Sequence, residues 1–331
     1  MNIKQGKELI KNGIQNKLQY LFVSPPGQAK SEMMVQACNE LNVDLMICHP
    51  VSDEPTDYKG LPKIGIDFAE FLPFGNLQKM ITAEKILVVF FDDLGQSHPQ
   101  VQASIMQVIQ AREINSHKIS DHVIFMAASN RKADKAGVSG IIEPLKSRFT
   151  AIINIEIDYE EWIQWAIQKA LPIELIAFIR FRPSLLSNFK ASAEMVNSAC
   201  PRTVYHIAQI IQSGLPENFW HEIFVGAAGE EFTLEFMGFL DIFKTLPDVQ
   251  QIPLHPDIVD VPKNTGTLYA LCGVIFKMIN KLNVDNCFKY LLRLPIEYQT
   301  VIISDIKTGK PGLMETRAFT EWSIKNTDLF I

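Results

Sequence analysis

Five short apolar runs, separated by stretches of helical periodicity, organise the first half of this 331-residue sequence. They are Leu18 to Val23, Leu45 to His49, Ile86 to Asp92, Val123 to Ala128 and Ala151 to Ile157. A strand with one wet face alternates apolar and polar residues. Unbroken runs of Ile, Val, Leu and Phe suit strands covered on both faces, as in a parallel sheet. Parallel neighbours need crossover connections, and helical patterns lie where crossovers belong: Ser31 to Leu41, and Pro99 to Arg112 with Val101, Ile105, Val108 and Ile109 at helical spacing. The expected class is α/β, a doubly wound parallel sheet over residues 1–157, with ligands at the carboxyl ends of the strands.

Beyond residue 157 no second strand-rich core is evident. The segment D-Y-E-E-W-I-Q-W-A-I-Q-K-A opens with acids, which favour a helix N-terminus. Further helices are expected at Ile173–Phe181, Thr203–Ser213, Phe232–Lys244, Thr267–Lys281, Phe288–Leu294 and Arg317–Lys325. Pro247 to Asn264, with prolines at 247, 253, 256 and 262, reads as an irregular crossing. The spans 158–215 and 216–331 are therefore expected as a helical domain and a helical extension.

With 47% hydrophobic and 21% charged residues the chain is too apolar to remain disordered. Its apolar runs stay far below the ~18 residues that cross a bilayer, so no membrane span is expected. The start, M-N-I-K-Q-G-K, is charged where a secretion signal is apolar, and the five cysteines lack metal or redox spacing. A cytoplasmic protein with reduced, buried thiols is expected. The net charge of −6 argues against nucleic acid as a partner. Residues 101–150, however, carry seven basic side chains against four acidic ones, which points to a local anionic ligand.

The strongest chemical signal is S-P-P-G-Q-A-K-S, Ser24 to Ser31, which follows the first strand and opens a helix. Against the phosphate-loop pattern G-x-x-x-x-G-K-[ST], Lys30 and Ser31 match, while Ser24 and Ala29 stand where glycines usually do. Pro26, Gly27, Gln28 and Ala29 would wrap a phosphate with backbone N–H groups at a helix N-terminus. Lys30 would add charge at the terminal phosphates, and the Ser31 hydroxyl would ligate Mg²⁺. I-L-V-V-F-F-D-D then ends a strand in two acids: Asp92 to hold the metal, Asp93 to orient the attacking water. Glutamate is usual at the second position, so hydrolysis is expected to be slow. V-I-F-M-A-A-S-N delivers Asn130 to the same edge, K-S-R-F places Arg148 before the next strand, and C-P-R-T places Arg202 at a helix start.

Together these stretches, with D-L-G-Q-S-H-P-Q-V-Q-A after the paired acids, resemble the AAA+ ATPases and within them the MoxR branch, over residues 15 to 215 or so. The pieces Pro55 to Pro62 and Ala136 to Phe149 resemble a bacterial and phage subgroup of that branch. The resemblance implies a P-loop core with an all-α lid, ATP and Mg²⁺ as cofactors, and a homo-oligomeric ring, commonly a hexamer. It further implies chaperone-like remodelling of a protein partner, often one with a von Willebrand factor A domain. Carried over, Lys30 and Ser31 are Walker A, Asp92 and Asp93 Walker B, Asn130 sensor 1, Arg148 the arginine finger and Arg202 sensor 2. An alternative is a nucleotide-dependent scaffold that binds ATP and hardly hydrolyses it, supported by Ser24, Ala29 and Asp93. Trp162 and Trp165 are expected as packing anchors rather than base-stacking platforms. Phe71 and Phe74, flanking Pro73, are candidates for a substrate-gripping loop.

Overall fold

The computed structural model describes residues 1–66, 68–134, 140–190 and 196–327. The described chain forms two compact units: residues 1–158 with 189 and 190, and the remaining described residues from 159 onward.

In the first unit the strands are β1 (Tyr20–Ser24), β2 (Asp44–Cys48), β3 (Leu61–Ile64), β4 (Ala69–Leu72), β5 (Leu87–Phe91), β6 (Glu113–Ile114), β7 (His117–Lys118), β8 (Val123–Asn130) and β9 (Ala151–Asn154). Its helices are α1 (Ile3–Asn16), α2 (Lys30–Leu41), α3 (Pro55–Lys59), α4 (Gly75–Ile81), α5 (Pro99–Ala111) and α6 (Glu143–Lys146). All five expected runs are strands of one parallel sheet, ordered β2-β5-β8-β1-β9. The sheet is doubly wound, and alternate residues explain the unbroken apolar runs. Tyr20, Phe22, Val88, Phe90, Ile124 and Met126 pack on the α1 and α2 side. Leu21, Val89, Phe91, Phe125 and Ala127 pack with α4 and α5 residues on the other. Every residue of β8 is buried.

Three features are not evident in the sequence. Helix α1 carries Gly6 and Gly13, poor helix formers, yet both serve its close packing: a Cβ at Gly13 would lie 2.8 Å from Tyr20 Cε2 and 2.9 Å from Met126 Cε. The hairpin β3–β4 is exposed throughout, so no buried face imposes a period on it. Ile64 and Ile66 near its tip stand almost wholly in solvent, and Phe68 is largely exposed. The hairpin β6–β7 turns at Asn115 and Ser116, both in the left-handed region with φ of 45° and 65°. It braces the first hairpin and the helix before it, since His117 Nε2 donates to Phe71 O at 2.8 Å and Asn115 Nδ2 to Lys59 O at 2.7 Å. Of the expected stretch Ala136 to Phe149, residues 136–139 lie outside the described residues.

The second unit is helical: α7 (Tyr159–Gln168), α8 (Ile173–Phe181), α9 (Pro201–Gln212), α10 (Trp220–Ala228), α11 (Glu230–Lys244), α12 (Thr265–Met278), α13 (Val284–Leu291), α14 (Ile296–Gly309) and α15 (Arg317–Lys325). No break in packing falls at residue 215, because α8 packs on α12 and α11, and α7 on α14. Phe178 of α8 lies among Phe232, Phe236 and Phe239 of α11. Trp162 is buried and stacks at a tilt on Trp165, which meets Tyr205 edge-on. Helix α14, rich in β-branched residues, has no sequence signature of its own. It is anchored by Asp305, fully buried, which accepts two hydrogen bonds from Arg180 of α8, Nη1 at 2.7 Å. The proline-rich crossing is fastened to α13 and the turn after it: Asn286 and Tyr290 of the helix donate to the carbonyls of Pro253 and Asp260, and Arg293 beyond it to that of Pro256. All five cysteines are buried, and burial pushes the Cys38 and Cys287 thiols up to about 11 and Cys48 to about 12.

The Arg180–Asp305 pair makes a testable case. Removing one partner of a buried pair strands the other, whereas removing both does not. Arg180→Met should cost about 3–5 kcal/mol in urea unfolding, and adding Asp305→Leu should recover more than half of that loss. A double variant as unstable as the single one would mean that the orphaned carboxylate is not the source of the cost.

Candidate functional site

The strand order reverses at β1: the chain leaves it towards β2, fills back through β5 and β8, and then crosses to β9. Such a reversal opens a crevice at the carboxyl ends of the strands. There Ser24, the last residue of β1, is in register with Asn130, the last of β8. Phe91 ends β5 beside Ala127, so the two acids that follow emerge at the same edge.

Between β1 and α2 the loop turns through Gly27, with φ of 74°, and Ala29, with φ of 56°. Ala29 occupies the N-cap of α2 without a side-chain capping bond, so the first-turn amides face out of the helix. Pro26 and Gly27 are partly exposed, Ala29 is exposed, and Gln28 and Lys30 are buried. Lys30 turns its ammonium inward among oxygens: Asn130 Oδ1 at 2.8 Å, Ser24 Oγ at 3.0 Å, Pro25 O at 3.4 Å and Ser24 O at 3.5 Å. Ser24 thus has a positive role in the place of the usual glycine, since its hydroxyl accepts from Lys30 and donates to Pro25 O at 2.9 Å. Nothing in the loop pattern signals this.

Ser31 Oγ donates to Asp92 Oδ2 at 2.5 Å. Asp93 follows in the left-handed region, φ 51°, and its amide donates to Asp92 Oδ1 at 3.0 Å. Asn130 joins the two halves, accepting from Lys30 at Oδ1 and donating through Nδ2 to Asp93 Oδ1 at 3.2 Å. Lys30, Ser31, Asp92, Asp93 and Asn130, expected together from their order in the chain, therefore form one hydrogen-bonded cluster. A hydroxyl beside a carboxylate is a hard-oxygen pair, suited to Mg²⁺ rather than to softer metals. An uncapped helix start with a lysine beside it suits a phosphate group.

Arg148 lies apart from this cluster. Arg148 follows α6 and precedes β9, whose Ala151 pairs with Tyr20 at the amino end of β1. Its Nε donates at 2.8 Å to Gln110, near the C-terminal end of α5. It thus sits at the opposite edge of the sheet from its own loop, about 15 Å away along a five-residue strand. Arg202 is exposed in the first turn of α9, within the second unit, where Thr203 Oγ1 accepts from the Cys200 amide and closes the helix start. One further buried polar side chain is bonded to the turn that follows Asp93. Gln102 lies on the buried stripe of α5, completely shielded from solvent, and among the described residues it bonds to backbone groups. A polar residue on an apolar stripe is its only signal in the sequence.

No family model matches this sequence, and no curated protein does. Among solved structures the chain is similar to a point mutant of Thermotoga maritima RuvB, at 14% identity over 88% of this chain and 87% of that one, with a TM-score of 0.45. It is similar also to the Thermotoga maritima RuvB Holliday junction branch migration motor, at 15% identity over 88% and 86% of the two chains, with a TM-score of 0.40.

The left-handed Ala29 gives a direct test of the loop geometry. A Cβ in that region costs about 1–2 kcal/mol, only part of which the added flexibility of an unfolded glycine chain cancels. Ala29→Gly should raise the urea midpoint slightly, whereas Ala29→Val should lower stability by about 1 kcal/mol or more. A glycine variant less stable than the parent would mean that the loop is not held in this conformation.

Proposed function

We propose that this chain is a Mg²⁺-dependent ATPase of the AAA+ class and MoxR type, acting as a ring to remodel or activate a protein partner. The observation that carries the reading is the convergence of Lys30, Ser31, Asp92, Asp93 and Asn130 on one carboxyl edge, in a single hydrogen-bonded cluster. Each belongs to a stretch that resembles the matching motif of that family.

The loop amides at the start of α2 would receive the phosphates of ATP. Lys30, drawn from Asn130 and Ser24 towards that charge, would add its ammonium. Ser31 and Asp92 would hold the Mg²⁺, which when bound offsets phosphate charge. Release of Lys30 would leave Asn130 facing the terminal phosphate, while Asp93 orients a water molecule as general base. Asp93 is one methylene shorter than the usual glutamate, which favours slow turnover. Arg148 cannot serve its own loop from the far edge of the sheet, and this placement supports a role at a neighbour's nucleotide. A ring, a hexamer by family resemblance, satisfies that requirement for every subunit. Arg202 retains the role of second arginine, acting on nucleotide affinity. A polypeptide partner suits the apolar hairpin tip of Ile64, Ile66 and Phe68, since exposed apolar surface favours protein contact. The family resemblance suggests a von Willebrand factor A domain protein. The charge of −6 disfavours nucleic acid.

Three variants test the reading. Lys30→Ala should abolish ATP binding in calorimetry while circular dichroism still reports a folded chain; an unchanged affinity would overturn the phosphate-loop assignment. Arg148→Ala should bind ATP normally yet lose about 10³-fold in turnover. Arg202→Ala should instead weaken binding. Mixing Arg148→Ala with Lys30→Ala should restore part of the activity, because some interfaces then pair an intact loop with an intact arginine. Mixed assemblies as inactive as either parent would remove the shared site.

A further inference from the structure

Helix α5 follows the paired acids and packs beneath the sheet through Val101, Ile105, Val108 and Ile109. Gln102 stands within this buried surface and is itself 0% exposed. An apolar side chain would fill the space without needing any partner, so packing does not call for a glutamine here. What the amide does is bind two separate pieces of backbone. Nε2 donates to Ser97 O at 3.1 Å and to Gly140 O at 3.0 Å, and Oε1 accepts from the Ile142 amide at 2.9 Å. Both of its donor hydrogens and its acceptor are engaged. Gly140 N adds a parallel strap to Gly95 O at 3.1 Å.

Each anchored piece leads to a residue of the proposed site. From Ser97 the chain runs back through a tight turn, in which Ser97 N donates to Leu94 O and Gln96 N to Asp93 O. From Ile142, the N-cap of α6, it runs forward through Leu145 N to Ile142 O and Arg148 N to Leu145 O. Short hydrogen-bonded turns transmit displacement because they have little slack. We propose that Gln102 is a positioning residue that locks the Arg148 segment to the Asp93 turn. The residue facing a subunit's own nucleotide then moves with the residue that serves its neighbour's. This inference rests on the shared-site reading above and adds to it a physical link between adjacent sites. The Asp93 turn has further supports, in Asp92 N to Cys48 O and Asn130 to Asp93, so loss of the clamp should release mainly the arginine side.

The mixed assembly separates the two sides. Lys30→Ala chains supply only the arginine, and Arg148→Ala chains supply only the loop. Gln102→Leu placed in the Lys30→Ala chain should cut the recovered turnover tenfold or more; placed in the Arg148→Ala chain it should cost less than threefold. Equal losses in both positions, as a purely structural role gives, or no loss in either, would overturn the proposal. Gln102→Glu, which keeps an acceptor for Ile142 and loses both donor bonds, should behave in the same way if the leucine variant folds poorly. A second readout stands even where the mixture is silent. Hydrogen exchange at residues 142–149 should respond to added Mg²⁺ and ATP in the parent chain, and at least threefold less in either Gln102 variant. An equal response overturns the clamp, whereas absence of any ATP binding overturns the nucleotide reading instead.

Discussion

The parallel pairing of β1 with β8, which sets Ser24 beside Asn130, is the constraint on which the site depends. A slip of one residue would turn Asn130 to the opposite face of the sheet and leave Lys30 without its 2.8 Å partner. The register is secured from below. β8 is buried along all of its eight residues, with Ile124 and Met126 committed to one face and Phe125 and Ala127 to the other. Core packing on two faces thus sets polar geometry at one edge, and the cluster inherits its precision from apolar side chains that never touch a ligand.

The cluster itself is arranged to exchange partners. Lys30 is buried, and its ammonium donates to oxygens of Ser24, Pro25 and Asn130. A bond from the ammonium to a phosphate oxygen exceeds one to any of these neutral oxygens, because both partners are then charged. Ser31 donates to the Asp92 carboxylate. The groups proposed to bind nucleotide and metal are therefore held in place by contacts that a better ligand can displace.

Elsewhere in the first unit the supporting contacts are largely backbone-directed. Gln102, His117 and Asn115 each use a side chain to hold a carbonyl of a distant segment. Such contacts specify position without demanding a particular neighbour. In the helical unit the corresponding role falls to Arg180 and Asp305, which join helices 125 residues apart in the chain. There the partners are charged and buried, so the junction tolerates the loss of both more readily than the loss of one.

The strands, their parallel arrangement and the cluster at the edge were legible from the sequence, because each rests on a local pattern with a physical cause. An apolar run that ends in Asp92 and Asp93 must deliver them where the sheet meets solvent, and a loop that opens a helix must offer amides there. The two hairpins, α1 and α14 were not legible. β3–β4 has no buried face to impose alternation, α1 carries glycines whose value lies in the approach of Tyr20 and Met126, and α14 is held by Asp305 against a distant arginine. The role of Ser24, the far-edge position of Arg148 and the clamp at Gln102 likewise belong to the tertiary structure alone. Sequence determines which groups a chain can bring to an edge through short-range periodicity; their partners depend on register and on contacts between segments scores of residues apart, for which no local pattern exists.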